Sequence, residues 1–475
     1  MNKLLLFLLT GFLSSLSLSW ISLVSVGGLD LNVPHLFFGG LAIGFGLGRF
    51  SELWSHSADQ PAFVFSVCYV LYLAAMFSSL FAGDLHVNAV SLLIKYTAYF
   101  GMFFILMVVL RSSALTNQSI AAAAYLGCAL GIVAFLGFAV FVFYRAGRNF
   151  PAEFFSYLVQ GDTSSLKFKI FLALFNYGAD EVDRTADSFI SAARANTITG
   201  AFVLYWLLVW IYRRPATLVL PGWLASLILW GVTTISLVVI IGSASRTNIA
   251  TVFLTALVVL AARALSANDS RMLGNMMVVL FVVVCLAVLG VVAAPSEIGI
   301  YNMLAERFSS ETLSEDSRAG QYTEAWARIK RRPFAGYGLG AGIDVNRAGG
   351  RVGQQVHNLF LASWYEAGIA GFAAAVAYYG CILLYWFLGF GRLKSRNSWY
   401  QSGLNPSLLW WLGLPCLPVV RAMFSGQAGS FTMMEWTCLA FFFGISARNS
   451  PWTSGERVFV ESHSPVDGVE VQPQR

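Results

Sequence analysis

The chain has 475 residues, 57% of them hydrophobic and only 11% charged, and its mean hydropathy is +0.68. That balance excludes a single water-soluble core wrapped in a polar surface and leaves a polytopic membrane protein. The formal charge of +6 excludes little by its sum, because in such a chain Lys and Arg near helix ends carry information by position.

The opening MNKLLLFLLTGFLSS has a basic start and an apolar stretch but no small-residue cleavage site, and further apolar runs follow, so it reads as an uncleaved first span. Apolar runs of spanning length then place helices at 4–24, 33–50, 62–81, 88–110, 119–143, 195–212, 217–241, 247–266, 272–293, 358–390, 406–424 and 428–447. An even number of spans puts both termini on one side. If that side is the cytoplasm, Lys3, Arg49, Arg111, Arg213, Arg214, Arg263, Arg271, Arg392, Lys394 and Arg396 all lie inside, as the positive-inside rule requires.

The expected fold is therefore all-α: a polytopic bundle of about twelve transmembrane helices. One membrane domain, residues 1–447, is expected to carry two long outer loops, 144–194 and 294–357, the second large and helical. The remainder, 448–475, is polar with prolines and no helical period, and reads as a disordered cytoplasmic tail. No internal repeat divides the spans into matching halves, which weighs against a transporter built from repeats. All six cysteines, Cys68, Cys128, Cys285, Cys381, Cys416 and Cys438, fall within predicted apolar segments, so neither a disulfide framework nor a metal site is expected.

In the second outer loop, TLSEDSRAGQYTEAWARIKRRPFAG predicts a helix. Ser314 caps it, Glu315 and Asp316 suit its first turn, Lys330, Arg331 and Arg332 its last, and Pro333 stops it. Ala319, Tyr322, Trp326 and Ile329 recur at helical spacing as one apolar stripe, with Arg318 at its edge; such a helix lies on the membrane surface or packs on the bundle. Gly336, Gly338, Gly340 and Gly342 then alternate. No Lys-Ser or Lys-Thr follows, so this is no nucleotide-binding P-loop, and the glycines fit either close backbone approach or a plain surface turn.

Three charged or titratable residues share the outer face. Arg246, in IIGSASRTNIATVF, stands between apolar runs; it can anchor the interface, or it can present a planar fork of donors to a phosphate. Arg318 follows it in the loop helix. His357 stands where RVGQQVHNLFLASWYEAGIAG turns from polar loop to apolar helix. Histidine, with an ordinary pKa of about 6.5, exchanges a proton near neutrality, although a histidine at a helix start more often serves as a cap. His35, His56, His86 and His463 take that second reading. Glu366 lies nine residues after His357, on nearly the opposite side of the helix. It is expected to form a structural ion pair with Arg421 or Lys95, or else Arg421 adds to a phosphate site.

The series SASRTNIA, SRAGQYTEAWARIKRRPFAGYGLGAG and VHNLFLASWYEAGIAG resembles the O-antigen ligase and O-antigen polymerase superfamily, integral-membrane glycosyltransferases of the GT-C type. The motifs cover about residues 240–375, and ARANTITGAFVLY is similar to the family's helix after its first outer loop. The resemblance implies metal-independent, inverting transfer of a glycan from undecaprenyl diphosphate to a sugar hydroxyl on the periplasmic face of the bacterial inner membrane, in surface polysaccharide synthesis and without a cofactor. It implies that Arg246 and Arg318 bind the diphosphate and that His357 is catalytic, with Asn358, Glu366 and Arg421 as candidate supports.

The implied partners are the lipid-linked donor, a glycan or lipid A core acceptor and membrane lipids, with no nucleic acid. Transfer to lipid A core is preferred to polymerisation. A flippase or exporter of lipid-linked polysaccharide is the alternative from another class, and an inert membrane scaffold the third. Sugar identity and oligomeric state leave no trace in the sequence.

Overall fold

The computed structural model describes residues 2–19, 22–26, 29–46, 60–82, 89–111, 115–145, 223, 227, 230–234, 236, 240, 248, 250–258, 317–343, 356–395, 413–424 and 432–448. The spans expected at 195–212 and 272–293, the first outer loop, Arg246, Cys285, His56, His86, His463 and the tail after residue 448 lie outside these residues. The spans expected at 217–241, 247–266 and 406–424 are described in part.

The described residues are mostly helical, and three helices are long and apolar enough to cross a membrane: Pro61–Phe81, Ala89–Arg111 and Leu359–Leu388. They belong to α3 (Gln60–Ala82), α4 (Ala89–Arg111) and α7 (Leu359–Ser395). Pro61 sits in the first turn of α3, where its missing N–H costs nothing, and Arg111 closes α4 with a positive charge at the negative end of the helix. Both helices are apolar on every side. Phe63, Val70, Phe77, Phe81 and Ile94 are exposed on them, the surface a lipid-facing helix presents.

The first expected span is corrected by the structure, while the second is helical from Val33 as far as Gly46, where that stretch of described residues stops. Helix α1 runs only Asn2–Ser15 and ends in a 3-10 turn, Leu16–Leu18. The chain then forms an antiparallel hairpin of β1 (Ser22–Val26) and β2 (Leu29–Asn32), bulged between Ser22 and Val24. The next helix, α2 (Val33–Leu41), passes into a π turn at Ala42–Gly46. The physical reason is visible in SLVSVGGLDLNVP: β-formers alternate around Gly27-Gly28, a hairpin signal that an average over hydropathy conceals. His35 is a cap, as read from sequence: its Nδ1 accepts the Asn32 backbone N–H at 2.9 Å.

Helix α5 (Asn117–Arg145) packs on α1 at two glycines one turn apart. A Cβ at Gly127 would lie 2.7 Å from Leu13 Cβ, and one at Gly131 2.7 Å from the Ser14 carbonyl oxygen. Membrane helices gain little from the hydrophobic effect between themselves, so the close backbone approach allowed by Gly-x-x-x-Gly supplies the dispersion contact instead.

The central core is aromatic and joins α3, α4, α7 and α9 (Met433–Arg448). Tyr69 stands edge-on to Trp436 at 4.8 Å and to Tyr378 at 5.2 Å, and Phe65 stacks on Phe443 at 5.0 Å. Edge-to-face and offset pairs of this kind add about 0.5–1.5 kcal/mol each beyond burial. Between α3 and α7 the Sγ atoms of Cys68 and Cys381 lie 3.8 Å apart. Helix α6 (Ser317–Arg331) packs on the start of α7, away from this core, and a short helix α8 (Cys416–Phe424) precedes α9.

Candidate functional site

Helix α6 ends at Arg331, two residues before Pro333, as its sequence dictates. Its buried face is not the expected stripe. Gln321, Ala325 and Ile329 are buried, Tyr322 is half-buried, and Trp326 is exposed although its ring meets Trp364 edge-on at 5.5 Å. The face is turned because a buried glutamine, invisible to apolar periodicity, occupies its centre. Ala325 and Ile329 join Ala341, Ile343, Val356, Ala362 and Tyr365 in a small separate core. Burial of each isoleucine there contributes about 1.5–3 kcal/mol.

Helix α7 begins with a cap. Asn358 Oδ1 accepts the backbone N–H of Phe360 at 3.1 Å and of Leu361 at 3.0 Å, so this candidate support acts by fixing the helix start. His357, half-buried, is held immediately before it from two sides. Its Nδ1 lies 2.9 Å from Gln321 Oε1, and Tyr322 Oη donates to its carbonyl oxygen at 2.8 Å. Consecutive residues of α6 thus grip the ring and the backbone of one histidine. Arg318 occupies the first turn of α6, three residues before Gln321 and so about one turn away along the helix; its side chain lies outside the described residues.

Eight residues into α7 the helix breaks. Ala367 has φ −120°, ψ 16° and Gly368 has φ 64°, ψ −160°, a region that only glycine occupies without strain. The break frees backbone groups that cannot remain unpaired away from water. The glycine-rich loop after α6 takes them. Tyr337 N–H donates to Tyr365 O and Gly338 N–H to Glu366 O, both at 2.9 Å, while Ile369 N–H donates to Pro333 O at 2.9 Å. Trp364 Nε1 adds a second donor to Pro333 O at 3.1 Å. A Cβ at Gly336 would lie 2.5 Å from Glu366 O. Of the two readings open for the glycines, close backbone approach is the one the structure adopts.

Side chains tighten the same seam. Arg332 covers the Tyr337 ring at 5.2 Å, and that ring stacks on Tyr365 at 5.0 Å. Arg328 donates from Nε to Glu324 Oε1 at 2.7 Å and from Nη1 to Tyr365 Oη at 3.3 Å, and Tyr365 Oη donates to Gly342 O at 3.3 Å. The bond to Glu324 raises the Arg328 pKa further above its ordinary value, against the pull of partial burial, so Arg328 is a fixed cation.

The pairing expected for Glu366 is corrected. Arg421, on α8, pairs with Glu435 of α9, Nε to Oε1 at 2.7 Å, both buried. Glu435 also accepts the Thr432 N–H, and its own N–H reaches Thr432 Oγ1 at 3.5 Å. The sequence carried a signal for the start of α9, Thr432-x-x-Glu435, a capping box, but none for the pairing of Glu435 with Arg421. Lys95 Nζ lies over the Tyr99 ring at 5.7 Å. Glu366 is buried, takes the Gly340 backbone N–H, and its Oε2 has no hydrogen-bond partner among the described residues. The break turns the end of the first helical segment toward the loop, and the carboxylate goes with it.

An apolar bundle with spanning-length helices, and a polar helix packed on the segment of α7 that precedes the break with a histidine at the joint, fits an integral membrane protein. Residues 231–376 match the family described as O-antigen ligase. The match takes in Arg246, Arg318, His357, Asn358 and Glu366 and stops before Arg421. Among curated proteins, none matches the chain. The matched segment supports an O-antigen ligase or polymerase type of function in general, that of a glycosyltransferase-like enzyme with a lipid-linked glycan and an acceptor as substrates.

Proposed function

We propose that this protein transfers a glycan from undecaprenyl diphosphate to a sugar hydroxyl on the periplasmic face of the inner membrane, with inversion and without a metal. It works from a bundle of about twelve transmembrane helices with both termini in the cytoplasm, and lipid A core is the preferred acceptor over a second lipid-linked repeat. The acceptor oxygen attacks the anomeric carbon as the bond to the diphosphate oxygen breaks. The electron pair leaves with undecaprenyl diphosphate, and His357 takes the hydroxyl proton. Arg246 and Arg318 neutralise the departing diphosphate, two-point donors serving where another enzyme would place a cation.

The observation that carries this reading is the grip on His357: a half-buried histidine immediately before α7, fastened at Nδ1 by Gln321 and at its carbonyl by Tyr322 of α6, the helix that carries Arg318 one turn earlier. The match of residues 231–376 to the family described as O-antigen ligase supports a transferase of ligase or polymerase type.

The test is reconstitution of the purified protein in liposomes with a defined undecaprenyl-diphosphate glycan, with and without lipid A core, products being read by mass spectrometry. Core-linked glycan is expected, and its loss in His357→Ala while that variant still inserts. A lengthened lipid-linked glycan would make the protein a polymerase. Labelled donor crossing the bilayer with no product would make it a flippase or exporter. Arg246→Lys and Arg318→Lys are expected to restore only part of what the alanine variants lose, because an ammonium lacks the planar fork; normal donor kinetics in both alanine variants would remove the clamp.

A further inference from the structure

We infer that Gln321 is a positioning residue that fixes the tautomer of His357, holding the proton on Nδ1 and leaving the Nε2 lone pair to receive the proton of the acceptor hydroxyl. The inference rests on His357 being the proton acceptor proposed above and adds the group that makes it one.

The geometry is specific. Gln321 Oε1 and His357 Nδ1 are 2.9 Å apart, and an amide oxygen can only accept, so the shared hydrogen belongs to the imidazole. In a neutral ring that leaves Nε2 unprotonated. Gln321 is 1% exposed, so water does not compete for the bond, and its neighbour Tyr322 holds the His357 carbonyl. The ring therefore cannot turn over without losing a buried hydrogen bond. A carboxylate in place of the amide would stabilise the imidazolium and raise the pH above which the base is neutral; an amide orients the ring without adding charge. The helix repeat supplies the arrangement: Gln321 lies three residues after Arg318 and four before Ala325, on the face of α6 turned toward α7.

The direct experiment reads the tautomer without reference to turnover. Protein labelled with 15N-histidine in lipid nanodiscs, at about pH 8 where an ordinary imidazole is neutral, is examined by solid-state NMR, and the His357 signals are assigned by their loss in His357→Gln. Protonation at Nδ1 is expected, with a shift of population toward Nε2 protonation in Gln321→Leu. A wild-type ring protonated at Nε2, or one indifferent to Gln321→Leu, would overturn the inference.

Turnover supplies the second readout. Gln321→Leu is expected to lower kcat about 10- to 100-fold, the size seen when outer partners of functional histidines are removed, with the donor KM little changed. Gln321→Glu still accepts from Nδ1, so it is expected to retain activity while the acid limb of the pH profile moves to higher pH. A fall in both variants with unmoved pH profiles would reduce Gln321 to a packing residue. The expected NMR result combined with full transfer activity in His357→Ala would leave the tautomer assignment standing and remove the histidine as base, so the two ideas fail separately.

Discussion

Gly368 and Phe334 meet backbone to backbone: a Cβ at Gly368 would lie 2.0 Å from the Phe334 carbonyl oxygen. The contact is the point at which the loop after α6 enters the break in α7, and it makes glycine obligatory twice over, by conformation and by space.

Gly368→Ala is accordingly expected to cost at least the roughly 1–3 kcal/mol of a residue forced into a glycine-only region, and Gly336→Ala to lose stability for the same double reason, its φ being 70°. Gly380→Ala is the control, since a Cβ there meets nothing within 4 Å. Thermal stability of the detergent-solubilised protein, followed by fluorescence-detected size exclusion, should fall for the first two and hold for the third. Equal tolerance of all three would mean that the loop does not dock.

The Arg421–Glu435 pair is buried, and charges inside an apolar bundle are stable only together. Glu435→Met or Arg421→Met alone should cost about 3–5 kcal/mol, while the two changes together recover much of the loss, because removing both charges leaves neither stranded. A thermal-stability cycle over the four proteins checks this. Purely additive losses would show that the two side chains act independently.

Cys68 and Cys381 offer a chemical ruler between α3 and α7. A disulfide needs sulfurs about 2.05 Å apart, and the observed 3.8 Å is closed by small side-chain rotations. Mild oxidation in membranes should yield a peptide joining residues 68 and 381 by mass spectrometry, absent in Cys68→Ser. If no such peptide forms under conditions that oxidise other thiols, α3 and α7 do not pack as described.

Features of the fold written in local chemistry were legible in the sequence. The apolar runs that became α3, α4 and α5, the stop at Pro333 and the start of α7 beside His357 follow from hydropathy, proline and polar flanks, each acting within a few residues. What escaped depends on partners far along the chain. Gly368 reads as one more small residue in YEAGIAG, because a broken helix is stable only when the 333–338 loop replaces its missing hydrogen bonds. Gln321 escaped for a related reason: it is polar and buried, so a search for apolar periodicity points to Trp326 instead. The acid at Glu366 was legible as buried, but not its direction, since the break that turns it toward Gly340 is itself a tertiary effect. Arg246 and Arg318 were singled out by chemistry and family likeness, and their roles rest on the kinetic tests above.

The break in α7 also turns the chain back on itself. In a continuous helix rising about 1.5 Å per residue, Phe360 and Tyr379 would stand about 28 Å apart, yet their rings meet edge-on at 5.2 Å. A Cβ at Gly371 would lie 2.6 Å from the Ser363 carbonyl oxygen, and Ser363 Oγ donates to Tyr72 Oη of α3 at 3.4 Å. Residues 359–366 therefore run beside the apolar stretch that follows the break rather than extending it. His357 stands at the head of this returning segment, and its position is set by α3, α6 and the docked loop together rather than by the tilt of any one helix.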